Sequence, residues 1–227
     1  MKANQAKGKG FMDVFEAIKG RRSVRAYKKD SVPRELIEKI LETAINAPSA
    51  NNLQPWEFVV VTDEEKDRLS RTLLKAYQEK QVSCGSGAVK PLTEPFKQRG
   101  IQTLESMKLY VERTGTSVDD FVNEGSCNFY GAPVAIIICL DDCFSSRQMA
   151  DVGVVLGYIV LAAHASGLGT CPIGLIAAYE DEVKDLLNIP ENKKVIIGIA
   201  IGYPDQENPV SQFRSTRDDP NKFIRWI

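Results

Sequence analysis

Three strongly apolar runs punctuate this chain, and apolar residues recur at helical spacing between them. The runs are Phe58-Val59-Val60-Val61, residues 134–140 and residues 194–201. Each is short, rich in β-branched residues and bounded by turn formers or charge, which predicts buried strands, with 134–140 central. Residues 11–19 read as a short amphipathic helix with Phe11, Val14, Phe15 and Ile18 on one face, ended by Gly20. Ser31-Val32-Pro33 opens a second helix, on which Leu36, Ile37, Ile40, Leu41, Ala44 and Ile45 share a face until Asn46-Ala47-Pro48 stops it. Thr62-Asp63-Glu64-Glu65 caps a third helix that runs to about residue 79. Residues 151–166 predict a helix apolar on almost every side, and 180–187 a short one. The apolar run inside the former, 152–163, is too short to span a bilayer, so the helix is expected in the core or against a second subunit. Gly153 and Gly157 on one of its faces would admit a neighbouring helix.

Residues 81–128 carry the weakest pattern. Cys84-Gly85-Ser86-Gly87, Pro91 and Pro95 argue for loop, and 104–111 for a short helix. A long polar insertion of this kind is expected either as a lid over a substrate or as a decoration. Residues 1–10 are lysine-rich and have no apolar core, which is not the build of a signal peptide and predicts a loose tail. The remainder, 11–227, is expected to form one domain.

Composition narrows the partners. With 227 residues, 43% hydrophobic and a formal net charge of -1, the chain is globular and has no general attraction for nucleic acid or an anionic membrane. Its cysteines are odd in number and scattered, and His164 is the only histidine, so no metal site is expected and reduced thiols in the cytoplasm are. His164, near the end of its helix, reads as a packing or capping residue.

The candidate chemistry lies outside the regular elements. Ala47-Pro48-Ser49-Ala50-Asn51-Asn52-Leu53-Gln54-Pro55-Trp56 is a neutral polar loop stiffened by two prolines, with Pro55 pressing Gln54 toward extended geometry. Its hydroxyl and amides suit the edge of a flat heteroaromatic ring, although Asx turns joining a helix to a strand would use the same residues. Arg21-Arg22-Ser23-Val24-Arg25, with Lys19, Lys28 and Lys29, concentrates positive charge beside a hydroxyl, as a phosphate site or as a solvated basic surface. Gly167-Leu168-Gly169-Thr170-Cys171-Pro172-Ile173-Gly174 reads as a glycine-rich turn able to bring bare backbone against a ligand, and it is not a G-x-G-x-x-G dinucleotide fingerprint. The tail 205–227 has no period and carries Arg214, Arg217, Lys222, Arg225 and Trp226, so it must lie on something, with a partner subunit a candidate.

Taken in order, the basic motif, the Pro48-to-Trp56 loop, the glycine-rich stretch and Gly202-Tyr203-Pro204 with arginines following resemble the FMN-dependent nitroreductase family over nearly the whole chain. The resemblance implies an α+β fold with an antiparallel-dominated sheet flanked by helices. It also implies a homodimer, with FMN at the subunit interface and a C-terminal extension wrapping the partner. Arg21, Arg22, Ser23 and Arg25 would hold the phosphate and ribityl chain, completed by Arg217 and Arg214. Pro48, Ser49, Ala50, Asn52 and Gln54 would reach the flavin from the other subunit. Thr170, Cys171, Pro172, Ile173 and Gly174 would lie along the ring, the Gly174 N–H facing N5. No catalytic side chain is implied: NADH or NADPH would reduce the flavin, and a nitroaromatic, quinone or related conjugated acceptor would reoxidise it in a ping-pong cycle. Some relatives carry an acidic residue where this chain has Gly174. Iodotyrosine deiodinases of the same group clamp an amino acid with Glu-x-x-x-Tyr, which is missing here. A reductive dehalogenase or dehydrogenase of the same fold, a flavin-binding protein without turnover, and a nucleic-acid binder using the basic cluster are the rival readings.

Overall fold

A computed structural model describes residues 12–227. The expected tail, 1–10, and Phe11 of the first predicted helix lie outside the described residues. Strands β1 (Trp56–Thr62), β2 (Val134–Asp141), β3 (Gly169–Ile173) and β4 (Lys193–Gly202) form one sheet in the order β1-β2-β4-β3, with every neighbouring pair antiparallel. The helices are α1 (Val14–Gly20), α2 (Arg34–Ala44), α3 (Asp63–Lys80), α4 (Glu94–Val111), α5 (Val118–Cys127), α6 (Met149–Ala165) and α7 (Glu180–Leu187). The fold is α+β, with helices on both faces of the sheet.

The alternation of side chains along β2 explains the layering. Ala135, Ile137 and Cys139 enter a core with Leu69 and Leu73 of α3, Val183 of α7 and Tyr179. Val134, Ile136, Ile138 and Leu140 enter the opposite core, with Ile37 and Ile40 of α2 and Val155 and Ile159 of α6. An unbroken apolar run therefore marks a strand covered on both faces. β1 is an edge strand, and its Val60 is exposed rather than buried.

Two helices depart from their sequence patterns. The apolar face expected for α1 points outward: Val14, Phe15 and Ile18 are exposed, and Ala17 is the residue that packs. Helix α6 buries one face, from Val152 to Ala163, but leaves Met149, Val154 and Tyr158 exposed, and a side-chain carbon at Gly153 or Gly157 would meet nothing within 4 Å. It is thus less enclosed within one chain than its composition implies. Ser146–Ala165 as a whole is long and apolar enough to cross a membrane, more than the shorter run suggested. Yet its inner face interlocks with α2 and the sheet, an arrangement that no isolated span has.

The glycine-rich stretch is not a turn. Residues 169–173 form β3, because Thr170, Cys171 and Ile173 have a place in the core, which overrides the turn propensity of glycine and proline. Residues 81–128 hold two helices rather than a loop with one short helix. Pro95 sits in the first turn of α4, where its missing N–H costs nothing, instead of breaking it. Met107 and Val111 of α4 pack with Val210 and Phe213 in a third small core, so this segment seats the start of the C-terminal tail.

One close approach fixes the geometry on which the site rests. A β-carbon added at Gly169 would stand 2.7 Å from Cγ2 of Val24 and 2.9 Å from its Cβ. Gly169→Ala is expected to push residues 21–25 off β3 and to lower stability by about 1–3 kcal/mol. A urea unfolding midpoint equal to that of the unsubstituted protein would contradict the packing.

Candidate functional site

Strand β3 is the second edge of the sheet, and residues 21–25 cover its free side. Ser23 bridges Thr170 in parallel, and the Val24 N–H donates to the Thr170 carbonyl at 2.8 Å. Farther on, Tyr27 bridges Pro204, and the Asp205 N–H donates to the Ala26 carbonyl at 3.0 Å. The basic motif is therefore backbone-anchored to the strand that the glycine-rich stretch becomes. The tail returns to the same place. Pro209–Gln212 makes a short 3-10 turn against α4, and the Arg99 guanidinium pairs with Asp218 at 2.6 Å while lying against the rings of Phe96 and Phe223.

The outcome is a cleft of about 730 Å³ that brings Arg21, Arg22, Ser23 and Arg25 together with Arg214 and Arg217. Lys19, Thr103 of α4, Phe213 and Ser215 also line it, and no acidic side chain does. Lys28 and Lys29, part of the same charge run in sequence, are exposed and do not line it. None of these guanidiniums is ion-paired among the described residues. Arg217 donates only to Ser215 and Thr216, Arg214 to the carbonyls of Ser211 and Phe213, and Arg22 to Gln206. Burial and then the like charge of Arg217 lower the pKa of Arg21, which stays protonated at neutral pH. Converging cations without counter-charges repel one another until an anion enters.

The neighbouring groups are subordinate. Burial raises the Cys171 thiol, with Arg25 and Arg21 pulling the other way, so it remains a neutral packing residue. His164 packs in the last turn of α6 against Gly20, and burial followed by the charge of Arg21 keeps its pKa low. It serves packing, as its position suggests. Beyond Cys171, Pro172 is half-buried, Ile173 turns into the core, and Gly174 is exposed with nothing within 4 Å of where a β-carbon would stand.

The polar loop forms a compact knot. The Ser49 hydroxyl accepts from the Gln54 N–H at 2.9 Å, the Asn52 N–H donates to the Ser49 carbonyl at 3.0 Å, and the Gln54 amide donates to the Asn52 carbonyl at 3.3 Å. Asn51, Asn52 and Gln54 have φ of 51°, 55° and 48°, so Gln54 is left-handed and not extended. The bond to Ser49 turns the chain back against the preference that Pro55 imposes. Such a residue stores strain of about 1–3 kcal/mol. Pro48, Ala50 and Asn52 are exposed, and the Asn52 side-chain amide finds no partner among the described residues.

Loop and cleft do not meet within one chain. The Ala50 N–H reaches the Asp151 carboxylate at 3.3 Å, at the start of α6, whereas Arg21 lies beside His164 at its end. At the rise of an α-helix these points are roughly 20 Å apart. Sequence reasoning did not find Thr103, Phe213 or Ser215 in the cleft. Thr103 lies in the segment with the weakest pattern, and the others in the tail without a period, so no local signal marks them.

The family model described as "Nitroreductase family" matches residues 18–203. "Nitroreductase NfnB" of Mycolicibacterium smegmatis is 34% identical over 216 residues, which cover 92% of this chain and 90% of that protein. A 4-nitrobenzoate reductase of a Nocardioides species is 30% identical over 226 residues, covering 95% and 91%. The crystal structure of the FMN-dependent NfnB from Mycobacterium smegmatis in complex with NADPH superposes with a TM-score of 0.85 at 30% identity, over 94% of this chain and 97% of that one. By sequence and by fold, the chain belongs to the nitroreductase family.

Proposed function

We propose that this protein is an FMN-dependent oxidoreductase that uses NADH or NADPH to reduce nitroaromatics, quinones or related conjugated acceptors, in two half-reactions at one site. The observation that carries the reading is the cleft of unpaired arginines against the free edge of β3. When bound, FMN would supply the hydride-accepting and electron-donating chemistry between nicotinamide and acceptor. The chain itself binds, orients and excludes. Arg21, Arg25, Arg214 and Arg217 face the phosphate, with Ser23 as an added donor. Beyond them β3 offers a ledge: the half-buried Pro172 and the exposed Gly174, with nothing within 4 Å of where its β-carbon would stand, would lie along the flavin ring, and the Gly174 N–H is assigned to N5.

Ser49 and Asn52 are assigned to a second copy. Within one chain they stand at the far end of α6 from the cleft, and the exposed Asn52 amide has no partner among the described residues. The outward apolar faces of α1 and α6 supply what a homodimer would bury. Residues 81–128 and the tail around Phe223 and Trp226 complete the site as substrate wall and partner contact. The described cysteines are all free, which suits the cytoplasm.

The deciding experiment is an anaerobic absorbance spectrum of the purified protein. Flavin bands should bleach on adding NADH or NADPH and return on adding 4-nitrobenzoate. Colourless protein, or bands that NAD(P)H leaves untouched, would remove the proposal. Arg217→Ala should weaken FMN binding by about 1.5–3 kcal/mol, or roughly ten- to hundredfold in Kd, measured by flavin fluorescence. An unchanged Kd would detach Arg217 from the phosphate. Mixing Arg21→Ala and Asn52→Asp proteins after reversible dissociation should restore activity that neither has alone, because the mixed dimer holds one intact site. If mixed dimers form and stay inactive, the loop does not serve its partner's cleft.

A further inference from the structure

Tyr130 is held more tightly than a core aromatic requires. It follows α5 in a left-handed conformation, with φ of 53°. A β-carbon at Gly125, inside α5, would stand 2.6 Å from Cε1 of the Tyr130 ring and 2.8 Å from Cδ1, so only glycine lets the ring lie this close to the helix. The Phe121 ring, one turn earlier, packs at 5.4 Å between centroids and 47° between planes. The Ser126 hydroxyl, itself buried, lies 3.2 Å from the Tyr130 hydroxyl, and the exposed Cys84 thiol lies 3.5 Å beyond it. Backbone, helix surface, neighbouring ring and hydroxyl all specify one ring position.

That position meets the cleft at Arg25. The Arg25 guanidinium carbon is 5.8 Å from the centroid of the Tyr130 ring, within the range of a cation held by an aromatic face. Arg25 has no carboxylate among the described residues to hold it instead, and it shares the cleft with Arg21, Arg214 and Arg217.

We propose that Tyr130 is the positioning residue for Arg25: anchored on α5, it offers the guanidinium a face to rest on and presets it for the anion in the cleft. This rests on the reading of the cleft as the FMN phosphate site. It makes α5, within the segment read as the substrate wall, mechanically continuous with that site. An uncharged ring achieves this where a carboxylate would neutralise the arginine and compete with the phosphate.

The test is FMN titration of the apoprotein with Tyr130→Met, Tyr130→Phe, Arg25→Ala and the Tyr130→Met/Arg25→Ala pair. Tyr130→Met should weaken FMN binding about tenfold, while kcat at saturating FMN stays within about twofold. Tyr130→Phe, which keeps the ring face, should bind close to the unsubstituted protein. In the Arg25→Ala background, Tyr130→Met should cost nothing more. Full additivity of the pair, an unaltered Kd in Tyr130→Met, or a tenfold loss in Tyr130→Phe overturns the proposal. If Arg25→Ala binds FMN normally, the phosphate-site reading falls and this proposal with it. Loss in Arg25→Ala without loss in Tyr130→Met removes only the positioning role. Should Tyr130→Met fail to fold, NMR of the unsubstituted holoenzyme decides. The Arg25 side-chain N–H signal, assigned with Arg25→Lys, should be shifted upfield by the Tyr130 ring, and an unshifted signal overturns the proposal.

Discussion

The hydrogen bond from the Val24 N–H to the Thr170 carbonyl, with the Ser23–Thr170 bridge beside it, joins the two halves of the site. It is a backbone contact, so it does not depend on the conformations of long charged side chains. It lays a basic segment along an edge strand that would otherwise expose its unpaired groups. One arrangement thus covers the edge of β3 and points Arg21 and Arg25 into a common cleft. Gly169 is what permits it, since any side chain there would meet Val24.

The rest of the charge comes from far along the chain, and its placement depends on packing rather than on attraction. Arginines repel, so nothing electrostatic gathers Arg21 and Arg217 in the absence of an anion. The work is done at a distance. Val210 and Phe213 are buried against Met107 and Val111, and the pairing of Asp218 with Arg99 holds the chain just past Arg217. Helix α4 is therefore the scaffold of the C-terminal half of the cleft, and its Thr103 lines it directly.

Legibility in the sequence followed the source of each element's stability. β2 and β4 were plain because both faces are buried and the apolar run is strong; α2 and α7 were plain because one stripe is. β3 was obscured by Gly169 and Pro172, residues that read as a turn and are tolerated because the strand lies at an edge. Helix α4 was obscured because only Met107 and Val111 along it are buried, too few to write a period. The residues of the cleft were legible as chemistry, Arg21 and Arg25 by their density and the loop by its amides. Their convergence was not, since it depends on a strand and a helix that the pattern hid. The chain's resemblance to known flavoenzymes supplied the grouping that periodicity could not.

Helix α6 gives the separation between loop and cleft its meaning. It is rigid, apolar on both sides and roughly 20 Å long between Asp151, which receives the Ala50 N–H, and His164, which packs beneath the basic segment. Its inner face is spent on the sheet core. Its outer face, with Gly153 and Gly157 bare, has the close-approach surface that two helices need to cross, and no described residue packs on those glycines. A two-fold pairing through such a face would be self-complementary, and with its axis across the helices it would set one α6 antiparallel to the other. The loop end of one copy would then be carried toward the cleft end of its partner. The same helix that keeps Ser49 and Asn52 away from their own arginines would, in the proposed homodimer, be the element that delivers them to another's, through its length and its unfilled face together.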